Sequence, residues 1–192
     1  MAVRKVITTK DGRLRERSRP VQEAGKKLIA LIKDLKDTLL AQDDPEGVGL
    51  AAPQIGVNLR VFVMRYLGRI TPIINPEILS VSEKTNDPEE IENSNIENRK
   101  SKNDHIMEGC LSLPHYYGPV KRSWKVALRY QTLKMENGKW KMENTTKSFS
   151  GFPAQIIQHE VDHLDGKIFI DRLLEQKRKL YELRGKEWEE VE

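Results

Sequence analysis

His159-Glu160-Val161-Asp162-His163 is the stretch of this sequence whose residue types most plainly invite chemistry. It matches H-E-x-x-H and lies within residues 154–164, which read as helical. A spacing of i, i+4 puts both imidazoles on one helix face, where they can hold a single metal ion. Glu160 stands about 100° round the helix from His159, near enough to reach a water on that metal without displacing it. A carboxylate so placed can accept the water's proton while the metal lowers its pKa. The plain alternative is a surface helix that carries two His and a Glu by chance.

A catalytic metal needs a third protein ligand and an open position. Residues 166–169 do not extend the motif to a third His, and Asp171, Glu175 and Glu182 sit among ordinary charged residues. His105 and His115 flank the only cysteine, Cys110, which is itself a candidate. It lies in Glu108-Gly109-Cys110-Leu111-Ser112, where Gly109 permits close backbone approach and the Leu111 amide can face a bound carbonyl. A third stretch, Gly47-Val48-Gly49-Leu50-Ala51-Ala52-Pro53-Gln54, offers a small-residue backbone to a substrate chain and a neutral amide donor in Gln54. No Gly-Lys-Ser/Thr follows it, so it is a poor phosphate loop.

These residues sit in a chain of 192 with net charge +4. That length predicts one domain at roughly 150 residues each. A single cysteine excludes an intrachain disulfide and favours a reducing compartment. No apolar run nears the roughly 20 residues of a membrane span, and the start lacks the apolar segment of a secretory signal. Residues 1–19 carry a net +5, and residues 82–107 a net −3. With 6% aromatic residues and no zinc-finger or RRM pattern, sequence-specific nucleic-acid binding is not expected.

The elements that must position the candidates follow from periodicity. Residues 3–7 read as a short strand. Leu28, Leu31, Ile32, Leu35 and Leu39 recur at helical steps, predicting an amphipathic helix of about five turns from Pro20. Residues 60–65, 72–75 and 78–81 read as strands, and 125–130 with 139–146 as a hairpin turning at Asn137-Gly138. Pro153 opens the helix of the metal motif, and a final helix is expected from about Arg172. Residues 82–104 are polar and aperiodic, an expected insertion or mobile loop in a single domain spanning 1–192. Strands clustered between helices, with no βαβ alternation, predict an α+β fold of short antiparallel strands packed around the motif helix.

The three stretches, in this order, resemble the signatures of the peptide deformylase family: residues 47–54, 108–112 and 158–164. The resemblance implies a metal-dependent amidohydrolase that removes the formyl group from the N-terminal Met of nascent chains, releasing formate. It implies Cys110, His159 and His163 as ligands to one divalent ion, natively Fe²⁺, with Zn²⁺, Ni²⁺ or Co²⁺ accepted. It assigns Glu160 as general base and then acid, Gln54 and the Leu111 amide as oxyanion donors, and Val48, Gly49 and Ile156 to the peptide groove and methionine pocket. The continuation Leu113-Pro114-His115-Tyr116-Tyr117 departs from the family's usual one, with Tyr117 where Arg is frequent.

Some members dock on the ribosome through a basic C-terminal helix; here residues 167–192 carry seven basic and seven acidic side chains, giving that contact no electrostatic bias. The substrate that the resemblance implies leads to the expectation of a bacterial cytoplasm, or an organelle, with no membrane partner. The rivals are an H-E-x-x-H zinc endopeptidase, which gives Cys110 and Gln54 no role, and a non-catalytic metal-binding domain closed by His105 or His115.

Overall fold

The computed structural model describes residues 3–87, 107–185 and 187–191. Helix α1 (Lys26–Leu40) is followed by β1 (Gly49–Ala51), a one-turn helix (Ala52–Ile55), β2 (Val61–Tyr66) and β3 (Arg69–Val81). Then come β4 (Glu108–Cys110), β5 (Leu113–Gly118), β6 (Lys125–Glu136), β7 (Lys139–Ser150), α2 (Phe152–Leu164), α3 (Phe169–Glu175), β8 (Leu180–Arg184) and β9 (Glu187–Val191). All strand pairs are antiparallel, in a five-stranded sheet β1-β2-β3-β6-β7 and a four-stranded sheet β4-β5-β8-β9.

The larger sheet is covered on both faces at β2, which explains the unbroken apolar run of that strand. Successive side chains of a strand point to opposite faces. Val61 and Val63 meet the α1 stripe of Leu28, Leu31, Ile32, Leu35 and Leu39. Phe62 and Met64 meet Ile156, Ile157, Val161 and Leu164 of α2. A third apolar cluster joins Cys110 and Val120 to Phe169 and Leu173 of α3. The motif helix is therefore held against the larger sheet by apolar packing, and polar contacts of His159 and His163 join it to β4 of the smaller sheet. No described helix is long and apolar enough to cross a membrane.

Several local expectations change. Residues 3–7 form no strand; Arg4 N–H donates to Thr38 Oγ1 and Ile7 N–H to Gln54 O instead. Helix α1 begins at Lys26, not Pro20, because Asn75 binds both backbone groups of Val21 and holds that segment out of the helix. The two strands expected at 72–81 are one, β3, with register shifts at Ile74/Glu77 and Ile78/Ser80. Asn75 has φ 48° there, so Asn-Pro marks an irregularity rather than an end.

The expected C-terminal helix ends at Glu175, and the chain turns back as the β8–β9 hairpin. Gly185, at φ 65°, sits at its turn. Of the expected insertion, Ser82–Asp87 is held: Ser82 N–H donates to Lys125 O, Asn86 bonds Gln155 and Arg122, and Asp87 is buried against Arg178. The rest, with His105, lies outside the described residues.

Candidate active site

Helix α2 brings His159, Glu160 and His163 to one place, all buried. Strand β4 supplies Cys110 opposite them, and Leu111 and Ser112 form the turn into β5. Cys110 Sγ lies 3.2 Å from His163 Nε2. The donor atoms of Cys110, His159 and His163 all fall within 4.8 Å of one another. That is close to the span two metal–ligand bonds of about 2.0–2.3 Å each can reach.

The charges suit a cation. Burial opposes ionisation of the Cys110 thiol, but His163 and His159 overcome it and hold the thiol well below its ordinary range. Burial likewise disfavours a charged His159, and Glu108 with Cys110 pushes it the other way, well above an ordinary imidazole. A thiolate facing two imidazoles is a metal-ligand set. A divalent ion bound here would supply positive charge beside that thiol.

Behind the donors runs a buried charge network. His159 Nδ1–H donates to Glu108 Oε1 at 2.7 Å, which leaves Nε2 for a ligand role. Arg122 donates to both Glu108 oxygens, at 2.9 and 2.5 Å, and to Asp162 Oδ2 at 2.6 Å. Arg172 then closes a two-pronged pair with Asp162, at 2.9 and 2.5 Å. Burial raises the Glu108 pKa and Arg122 more than reverses it, so Glu108 stays ionised behind His159. Sequence reading assigned no role to Glu108, Arg122 or Asp162. Glu108 and Asp162 lay inside the motifs, but Arg122 had no local signal.

We expect Arg122→Met to lower stability by about 3–5 kcal/mol, because it leaves the buried Glu108 without its guanidinium and Asp162 with only Arg172. Denaturant unfolding checks this, and a loss below about 1 kcal/mol would show that the network is not holding charge.

Glu160 is buried, its Oε2 has no hydrogen-bond partner, and burial lifts its pKa to about 7. Gly49 makes room for it, since a Cβ there would stand 2.1 Å from Glu160 Oε1. Gln54 is fixed by the Ala51 N–H at its Oε1, 2.8 Å, and its Nε2 donates to Ser112 Oγ and Cys110 Sγ at 3.2 and 3.5 Å. A cavity of about 180 Å³ opens over this group, lined among others by Val48, Gly49, Leu111, Ile156, His159 and Glu160. Gln54 and His163 lie behind its wall. His115 is an exposed lining residue outside the donor cluster.

Comparison with known proteins agrees with this geometry. The family model described as polypeptide deformylase matches residues 3–179. A peptide deformylase of Pseudothermotoga lettingae is 39% identical over 176 residues, covering 92% of this chain and 86% of that protein. One from Acidothermus cellulolyticus is 40% identical over 190 residues, covering 98% and 89%. Among solved structures, a peptide deformylase from Legionella pneumophila superposes with TM-score 0.69 at 35% identity, covering 90% of this chain and 86% of that one. That from Thermotoga maritima gives TM-score 0.69 at 30% identity, covering 90% and 98%. On the matched span, the shared fold and the site they bring together, the chain belongs to the peptide deformylase family, hydrolases that remove the N-formyl group from nascent peptides.

Proposed function

We propose that Cys110, His159 and His163 hold one divalent ion, natively Fe²⁺, and that Glu160, Gln54 and the Leu111 amide carry out formyl removal beside it. The carrying observation is the convergence of three donor atoms within 4.8 Å of one another, next to a buried carboxylate with an unpartnered oxygen. A divalent ion on these donors supplies Lewis acidity toward a carbonyl oxygen and acidifies the water it binds.

The remaining work falls to the chain's own groups. Glu160, with its pKa lifted to about 7, can accept a proton from the attacking water near neutral pH and return it to the departing amine. Water adds to the formyl carbon, the C–N bond breaks, and formate leaves with a free methionyl amine behind. In this reading the Gln54 Nε2 and the Leu111 N–H would donate to the oxygen that gains negative charge as that carbon becomes tetrahedral. Val48, Gly49 and Ile156 seat the methionine and the chain after it. Their place in the cavity wall supports this.

We further read residues 1–192 as one catalytic domain, with 82–104 as an insertion in it. The substrate places the protein in a bacterial cytoplasm or an organelle. Neither rival reading accounts for Gln54 braced against Cys110 beside a buried Glu160.

Gln54→Leu tests the oxyanion assignment. We expect kcat/KM on a formyl-Met peptide to fall by about 10²–10³-fold, with metal content unchanged. Full activity in that variant would remove Gln54 from the chemistry.

A further inference from the structure

The larger sheet ends on a long strand that pairs on one side only. In the order β1-β2-β3-β6-β7, strand β7 is the edge opposite β1. Most of its residues from Lys139 to Ser150 are exposed. Asn137 and Gly138, at φ 51° and 71°, make a two-residue turn, so the flanking pair Glu136 and Lys139 exchanges both backbone hydrogen bonds. From there the β6–β7 register runs to Lys125 and Ser150 without a shift. Hydrogen-bonded and non-bonded pairs alternate along such a ladder. The odd-numbered β7 residues therefore bond β6, and the N–H and C=O groups of Trp140, Met142, Asn144, Thr146 and Ser148 point outward.

A row of open backbone groups is a template for another strand, and the charges along it decide which strand fits. Strand β9, the long edge of the smaller sheet, carries Glu187, Glu189 and Glu190 and would repel its own copy. Strand β7 behaves differently when set antiparallel to a second β7 with Thr145 opposite its counterpart. Residues 140–150 then pair throughout, and outward-pointing residues meet outward-pointing residues. Glu143 stands opposite the second copy's Lys147, once on each side of the two-fold axis. Both side chains are exposed. Lys147 has no ion pair among the described residues, its Nζ lying 5.3 Å from the Phe149 ring centre, and Glu143 meets only Lys134 of β6, at 3.7 Å. Lys141 is neutralised within its own hairpin by Glu136, at 2.5 Å. Other registers lose this match. Centred on Asn144, the pairing sets Lys141 against Lys147; centred on Thr146, it gives neither Glu143 nor Lys147 a counterpart. Centres closer to the turn engage only part of the strand.

We propose that β7 is the contact surface for a second copy of this chain, joining two larger sheets into one continuous sheet about a two-fold axis. The backbone ladder supplies the attachment, and the two Glu143–Lys147 pairs fix its register.

Sedimentation equilibrium of the full chain tests this. A strand-edge contact is small, so the expected dimer is weak, with Kd on the order of 10 µM. Glu143→Lys and Lys147→Glu each set like charges opposite one another and should raise Kd by about tenfold or more. The double variant Glu143→Lys/Lys147→Glu restores opposite charges and should return Kd to within about threefold of the unaltered chain. Thr146→Pro removes an outward N–H without touching the β6 ladder, so it should abolish the dimer while circular dichroism stays unchanged. The charge variants, at exposed positions, decide the matter if Thr146→Pro does not fold. A chain that stays monomeric up to about 1 mM overturns the proposal. A dimer that the single charge reversals leave unchanged forms elsewhere and overturns it too. Single reversals that weaken the dimer without recovery in the double variant also overturn it.

Discussion

Glu160→Ala should lower kcat by about 10²–10⁴-fold, the usual worth of a positioned acid–base group, while fold and metal content persist. The site favours so clean an outcome. Glu160 is not among the three clustered donors, and its Oε2 bonds to no protein atom. The loss should appear in kcat more than in KM, because the carboxylate works on the proton and not on the methionine side chain. Stopped assays of formate, with metal analysis of the same sample, check it. Turnover near that of the unaltered protein would refute Glu160 as the acid–base group.

Cys110→Ser should remove both metal and activity. Serine fills nearly the same space, but its hydroxyl is not ionised near neutrality, whereas His163 and His159 hold the thiol's pKa well below its ordinary value. Changes to groups one step behind a ligand already cost about 10–100-fold in metal affinity, so losing a ligand should cost at least about 100-fold. Glu108, which orients His159, is such a group, and Glu108→Gln should fall in the smaller range. Metal content after extensive dialysis is the readout. A serine variant that keeps one ion per chain would mean that Cys110 is not a ligand.

The donors could be read from the sequence because their geometry is local. Two histidines four apart on a helix share a face wherever that helix packs, and Pro153 with Leu164 marks the helix ends closely. From its residues alone Cys110 was only a candidate, because a lone cysteine is ordinarily a small buried apolar residue, and the ligand role came from the resemblance of its motif to the family's. Their support was not legible. Glu108, Arg122, Asp162 and Arg172 meet across four parts of the chain, and no periodicity ties an arginine in a connecting segment to a carboxylate forty residues on.

The same divide runs through the fold. Apolar runs predicted β2 and the α1 stripe, and Asn137-Gly138 the hairpin turn, because each signal is short-range. The C-terminal hairpin was missed because the Leu and Glu residues of its strands match helix propensity. Its strand pairing with β5 is a tertiary fact. Asn75 misled twice, once by breaking the reading of β3 and once by holding Val21 out of α1.

The central claim is that a cation on Cys110, His159 and His163 serves formyl removal at this cavity. It is tested most directly by purifying the protein without air, counting its divalent ions, and measuring formate released from a formyl-Met peptide on the same sample. Formate release should rise in proportion to bound metal, reach its maximum at one ion per chain, with iron the ion found, and leave internal peptide bonds intact. Protein carrying one ion per chain that releases no formate, or that cuts internal peptide bonds instead, would contradict it.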